Sequence, residues 1–265
     1  MTSGGTGSWF TGMLVHARLK WNDSMTLLYA DTREEDIDLY RFLEESSHLM
    51  PRAKQVLLDQ GEDIWDVFAR KRYIGNTRID PCSYYLKRVP MREWLEAHCG
   101  FRNTVCYLGI DWTESHRFEK AQKYWAPWRV EAPLCDPPYY TKDNINAELA
   151  RYGIALPALT REGFPHNNCG GGCVKGGQGH FKMLLEKRPE TYARWEQKER
   201  DLREVLGDVA ILRDRRGGKT KPLPLTVLRR RIETGDNTID VDDIGGCACA
   251  VGDFEQDQAL RVALG

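Results

Sequence analysis

The chain has no apolar run near the roughly 20 residues of a membrane-spanning helix, and no charged-then-apolar signal segment opens it. Those absences predict a cytoplasmic chain without a membrane partner. Internal repeats and low-complexity stretches are missing too, which excludes solenoids and compositionally disordered arrays. Net charge is only −1, so the molecule as a whole gives no reason to expect a polyanion.

What is present fits a globular protein: 265 residues, 41% of them hydrophobic, enough for one large domain or a domain with an extension. The charge is unevenly spread. Residues 213–231 hold eight Lys or Arg against one acid, Asp214, and residues 233–257 hold eight acids and no base. Such blocks read as two solvated faces or as two segments folded on each other; the competing reading is a surface for RNA, DNA or nucleotide phosphates.

"TLLYADT" and "TVCYLGID" are continuous apolar runs of the kind buried parallel strands show, and "AKQVLLD" and "WRVEAPL" add two more strands. Between them, "EEDIDLYRFLEES", "DIWDVFARKRYI", "MREWLEAHCG" and "RFEKAQKYWAP" read as helices, the first opened by a capping box from Thr32 to Glu35. The alternation predicts an α/β fold over residues 1–153 with a mostly parallel sheet and helices on both faces. Residues 154–265 form a Cys/Gly-rich loop, a helical extension with a bend at Pro189, and an acidic tail containing "GGCACA".

Chemistry concentrates in four stretches. "SGGTGS" places Ser3, Gly4, Gly5, Thr6, Gly7 and Ser8 ahead of a helix-compatible segment, where free N–H groups suit a phosphate; a flexible terminus is the plain alternative. "DPCSYYLKRVP" sets Cys82 shortly before Lys87 and Arg88, cations that favour a thiolate and neutralise phosphates. "LGIDWTESHR" puts Asp111, Glu114, Ser115 and Arg117 at the end of a strand, where open α/β sheets bind ligands, with capping by Thr113 or Ser115 as the competing account. "HNNCGGGCVKGG" holds Cys169 and Cys173 four apart, followed by Lys175, a spacing open to zinc or an iron–sulfur cluster if Cys82, His166 or the late pair Cys247 and Cys249 complete the ligand set. Cys247 and Cys249 also read as a redox thiol pair. Cys99, Cys106 and Cys135 stand singly in apolar or helical surroundings and are expected to be core thiols.

Taken in this order, the stretches resemble the PP-loop superfamily of adenine-nucleotide α-hydrolase-like proteins, in the branch of phosphoadenylylsulfate (PAPS) reductases. "SGGTGS" is similar to the S-G-G-x-D-S loop, "ADTREEDIDLYRFL" to the second strand and its acidic segment, "DPCSYYLKRVP" to the C-x4-K-x2-P element, and "LGIDWTESHR" to the G-x-R-x2-E-S-x2-R element. The likeness spans about residues 3–175 and is nearest to phage-borne PAPS-reductase-like proteins and to sulfurtransferases of DNA phosphorothioation. It implies ATP or PAPS on Ser3–Ser8, with ribose and base near Ala30, Asp31 and Thr32, and with Lys87, Arg88, Glu114 and Arg117 around the nucleotide. It further implies sulfonucleotide reduction or ATP-dependent sulfur transfer, with Cys82, Cys247 or Cys249 as catalytic thiols and Cys82, Cys169 and Cys173 holding a [4Fe–4S] cluster or zinc. A nucleic-acid substrate or a sulfur-donor protein would be the further partner.

The sequence departs from that pattern in four places. Gly7 replaces the loop's usual Asp, Asp111 replaces the usual Arg, the reductases' Glu-Cys-Gly-Leu-His tail is absent, and the strand expected ahead of the loop is missing. That strand is expected either upstream of Met1 or replaced by a partner or a rearranged edge. A non-catalytic nucleotide- or nucleic-acid-binding module with structural zinc is the alternative reading.

Overall fold

A computed structural model describes residues 1–76, 79–236, 238–246, 257–258 and 260–262. Helix α1 (Thr6–Ala17) follows the glycine-rich opening directly, with Gly5 as its N-cap. The parallel pair β1 (Met25–Asp31) and β2 (Ala53–Asp59) encloses α2 (Ile37–Ser47) in sequence, and α3 (Ile64–Lys71) follows. The second parallel pair, β3 (Val105–Tyr107) and β4 (Arg129–Glu131), encloses α6 (Ser115–Tyr124). Before it runs one nearly unbroken helical rod: α4 (Pro81–Ser83), a π-turn (Tyr84–Arg88) and α5 (Val89–His98).

The expected α/β alternation is present, with parallel pairing throughout this part, but as two separate two-stranded pairs. Residues 1 and 2 stand between them. The Thr2 N–H donates to Leu28 O at 2.8 Å, and the Met1 amine donates to Tyr107 O at 3.0 Å. Burial pushes that amine's pKa below the usual value.

Beyond α7 (Lys142–Arg151) and the short α8 (Ala158–Arg161), the chain forms α9 (Gln178–Lys187) and α10 (Pro189–Leu206), separated at Arg188 as the proline predicts. An antiparallel hairpin, β5 (Leu212–Asp214) with β6 (Lys221–Leu223), leads into α11 (Leu225–Glu233). The core of this second part is shared with the first: Trp65 and Phe68 of α3 pack with Phe181, Tyr192 and Trp195, and Cys82 and Leu86 belong to the same cluster. Trp195 is fully buried, with Trp65 edge-on at 4.9 Å between ring centroids and Phe181 at 5.9 Å. Glu199, also buried, accepts Ile211 N–H at 2.9 Å and Leu225 N–H at 2.6 Å, so one carboxylate secures both the hairpin's approach and the start of α11.

Local signals resolve as follows. Thr32 does bond Glu35, at 3.0 Å, but the cap of α2 is Asp36, whose side chain accepts Asp38 N–H. Asp111, rather than Thr113 or Ser115, caps the short turn after β3, accepting Thr113 N–H at 2.8 Å. Cys106 is buried, and burial raises its pKa; Cys99 and Cys135 are only half-buried. In the basic segment, Asp214 pairs with Arg216 and Arg231, and Glu196 pairs with Arg229. Among the described residues, no helix is long and apolar enough to cross a membrane.

Candidate active site

The C-terminal ends of β1 and β3 and the N-terminus of α1 surround an open cleft of about 110 Å³. Ser3 and Ser8 form its α1 side, Tyr29 and Ala30 its β1 side, and Leu108, Gly109 and Ile110 its β3 side. Lys87 and Arg117 bring two cations to it, and Asn168 closes it from the Cys/Gly-rich loop. Polar hydroxyls at a helix start, two cations and an apolar wall make up the donor set that a nucleotide's phosphates and base require.

Backbone meets backbone at the α1 side. A Cβ on Gly109 would stand 2.5 Å from Ser8 N and Cα, so only glycine lets the exit of β3 reach the first turn of α1. A Cβ on Gly7 would meet Gly109 O at 3.3 Å, so a side chain here would crowd the same junction. Gly4 has φ 72°, a left-handed turn that lets the chain enter α1 beside Leu39. The Ser8 hydroxyl donates to Gly5 O at 2.8 Å and lies 3.3 Å from the Thr2 hydroxyl, which holds the opening loop closed on itself.

A second, much smaller cavity of about 10 Å³, roughly the room of one water, adjoins the cleft through a shared wall residue, Lys87. Cys82, Cys169 and Cys173 all line it, together with Thr32, Asp80 and Lys175. Three thiols separated by up to 91 positions thus face one enclosed space, brought there by α4 on one side and the Cys169–Gly171 turn on the other.

The π-turn over Tyr84–Arg88 closes on Val89 N–H to Tyr84 O, widening the helix where Lys87 and Arg88 part company. Lys87 Nζ bonds Glu35 Oε1 at 3.0 Å. Arg88 does not line the cleft: it is buried, bonds Asp257 at 2.6 Å and stands 3.4 Å from Asp80. Asp80 also lies 3.4 Å from Lys175 Nζ, and Asp257 accepts the Tyr124 hydroxyl at 2.6 Å.

The remaining expected residues fall around these two spaces. Asp31 accepts from Tyr40 Oη at 2.8 Å and Arg33 N–H at 2.8 Å, so it braces the end of β1 rather than lining the cleft. Glu114 pairs with Arg117 at 2.5 Å and orients that cation. Gly4, Gly5, Thr6 and Gly7 shape the loop behind Ser3 and Ser8. Cys247 and Cys249 lie outside the described residues.

The glycines of "CGGGC" prove to serve packing. Gly170 and Gly171 have φ 59° and 93°, Gly172 passes beneath the Trp195 ring, and His180 Nε2 meets Gly171 O at 2.7 Å. His166 stacks on His180 with centroids 5.5 Å apart, and burial, with His180 and Lys87 adding to it, pushes its pKa down to about 3. Three sulfur donors around one cavity are the donor type that zinc and iron–sulfur clusters take. As they stand, no three His, Cys, Asp or Glu side chains among the described residues are close enough to hold a metal ion.

Two acids, Asp80 on the cavity wall and Glu35 behind it, carry roles the sequence pattern did not assign. Glu35, read as a capping residue, is instead a fully buried link between Lys87 and the Cys169 backbone, and Asp80 is the acid between Lys175 and Arg88. Neither role has a local signal, although an acid directly before Pro81 and Cys82 hints at the second.

No family model, curated protein or solved structure matches this chain.

Proposed function

We propose that this chain is an adenine-nucleotide-binding enzyme of the PP-loop, PAPS-reductase type, which performs sulfonucleotide reduction or ATP-dependent sulfur transfer with cysteine-held sulfur. One observation carries the reading: Lys87 lines both the cleft at the start of α1 and the three-cysteine cavity, so a cation suited to phosphate and the thiols share one wall. Ser3, Ser8 and Arg117 supply the other phosphate contacts, with Tyr29, Ala30 and Leu108 as the apolar seat for the base.

In the reductive version a thiolate attacks the sulfur of PAPS, the sulfur–oxygen bond to phosphate breaks, and the nucleotide leaves with that electron pair while a thiosulfonate forms. In the transfer version ATP activates an acceptor oxygen with loss of pyrophosphate, and the outer sulfur of a cysteine persulfide loaded by a sulfur donor displaces AMP. A second thiol attacks the resulting mixed disulfide to free the thiolated product, leaving a cysteine disulfide for an external dithiol to reduce. Cys82, Cys169 and Cys173 are the sulfur donors a resident cluster or zinc would draw on, which requires their side chains to close in from the positions they hold, and neither version is routed through it.

Calorimetric titration of the anaerobically purified protein with ATP and with PAPS, each in competition with the other, tests this reading. Micromolar binding of either supports the nucleotide cleft; tighter ATP selects sulfur transfer, and tighter PAPS selects reduction. Absence of binding by both overturns the proposal. Iron and zinc analysis of the same sample decides the metal: neither metal present, with Cys169→Ala indistinguishable from wild type, removes the cluster.

A further inference from the structure

Glu35 contacts both Lys87 and the Cys169 backbone. Its side chain has no solvent exposure, and it divides its oxygens: Oε1 accepts Lys87 Nζ and the Thr32 hydroxyl, each at 3.0 Å, and Oε2 accepts Cys169 N–H at 2.6 Å. The last bond is short and charge-assisted, the stronger class of hydrogen bond.

Cys169 needs such a bond. Its φ is 55°, in the left-handed region. The glycines that follow adopt that region freely, whereas a residue with a Cβ does so at a cost of about 1–2 kcal/mol and holds it only where its surroundings impose it. Strain of this kind beside a three-thiol cavity is an observation independent of the ion pair.

We propose that Glu35 is a positioning residue that sets both halves of the site at once. One oxygen fixes Lys87 at the wall between cleft and cavity, and the other clamps the Cys169 backbone in the left-handed conformation that presents this residue to the cavity. The inference deepens the proposed function and rests on it only for the identity of the anion at Lys87. A glutamine cannot replace the carboxylate: it has one acceptor oxygen for the two sides, and its NH2 group would face either an ammonium or an N–H.

The test is Glu35→Gln, checked for a native circular dichroism spectrum. It is read by iodoacetamide labelling quantified at each cysteine and by ATP titration of both proteins. Labelling at Cys169 should rise at least about threefold as the clamp opens locally, while Cys99, outside the cavity, stays at its wild-type rate. ATP should bind about threefold or more tighter to the variant, since Lys87 no longer shares its charge with Glu35, an effect that mere loosening of the fold would not produce. Unchanged labelling at Cys169, or an equal rise at Cys99, overturns the proposal.

The two readings fail separately. Selective labelling of Cys169 with no ATP binding to either protein leaves the clamp standing and removes the nucleotide. Normal ATP binding with unaltered Cys169 labelling does the reverse. Should Glu35→Gln not fold, amide hydrogen exchange of wild-type Cys169 carries the test: exchange at least about a hundredfold slower than in an unstructured chain is expected, and a rate near the unstructured one overturns the clamp.

Discussion

Glu35 and Glu199 are both buried glutamates that use two oxygens to tie distant stretches of chain together, yet they sit in regions of opposite character. Glu199 holds two backbone N–H groups, those of Ile211 and Leu225, inside the aromatic core around Trp195. Both of these partners are main chain. Glu35 holds one backbone N–H and one side-chain cation, and that cation faces two cavities. A buried carboxylate bonded to main chain is a staple of the fold; one whose cationic partner lines a cleft can respond to what enters the cleft.

The sharpest way to break this contrast is Trp195→Ala. Loss of a fully buried indole packed on Trp65 and Phe181 should cost about 3–5 kcal/mol in urea unfolding. Because Gly172 runs beneath that ring, a simultaneous change in Cys173 labelling would show that the core and the cysteine cavity are one mechanical unit.

Glu199→Ala should cost about 3 kcal/mol, since it leaves two buried N–H groups without acceptors, and ATP affinity should not move. Glu199→Gln separates charge from shape. Burial raises the Glu199 pKa above its ordinary value of 4.5, so on folding this group holds its proton to a higher pH than in the unfolded chain. The stability this contributes is fully present below about pH 4.5 and is lost as pH rises through the higher folded value. Denaturant midpoints measured across that window should fall with pH in wild type relative to Glu199→Gln; parallel curves would mean that Glu199 does not titrate differently on folding.

Lys87→Met, on the responsive side, should weaken ATP binding at least about tenfold, or 1.4 kcal/mol, by calorimetry. It also strips Glu35 of its cation, so a measurable loss of stability should accompany the loss of affinity, a pairing absent from the Glu199 variants. The smallest effect belongs to Asp63→Ala, which removes the cap of α3, where Asp63 accepts Trp65 and Asp66 N–H groups at 2.7 and 2.8 Å. It should cost about 1 kcal/mol and leave labelling and binding as they were.

The same contrast explains what could be read from the sequence. Strand β1 was legible at nearly full length as an apolar run and β2 from its Val56–Leu58 stretch bounded by turn residues, and the division of α9 from α10 followed from Pro189. β3 and β4 are shorter than "TVCYLGID" and "WRVEAPL" suggest, because each pairs over only three residues before the chain turns away. A single sheet was expected; instead the two pairs are bridged by backbone hydrogen bonds from residues 1 and 2 and share a cluster in which Leu28 and Ala30 pack with Cys106, Leu108 and Val130.

In the site, Cys82, Cys169 and Cys173 were legible as a set because their residue type singles them out, and Ser3, Ser8, Ala30, Lys87 and Arg117 because their stretches carry turn and charge signals. Glu35 was not: the T-x-x-E pattern is satisfied locally by Thr32, and nothing in that pattern records partners 52 and 134 positions away. Arg88 was misdirected for the same reason, since adjacency to Lys87 says nothing of the π-turn that sends the two side chains to different acids.

Gly109 has a meaning for the protein's tolerance of mutation. The width of the cleft at α1 is set there by an atom that is not present, and no compensating change in a neighbouring side chain can make room, because what a Cβ would strike is the main chain of Ser8. In a random-mutagenesis library sorted for nucleotide retention, position 109 should therefore be empty of every replacement, while Gly5, with an open surround and ordinary backbone angles, accumulates them freely.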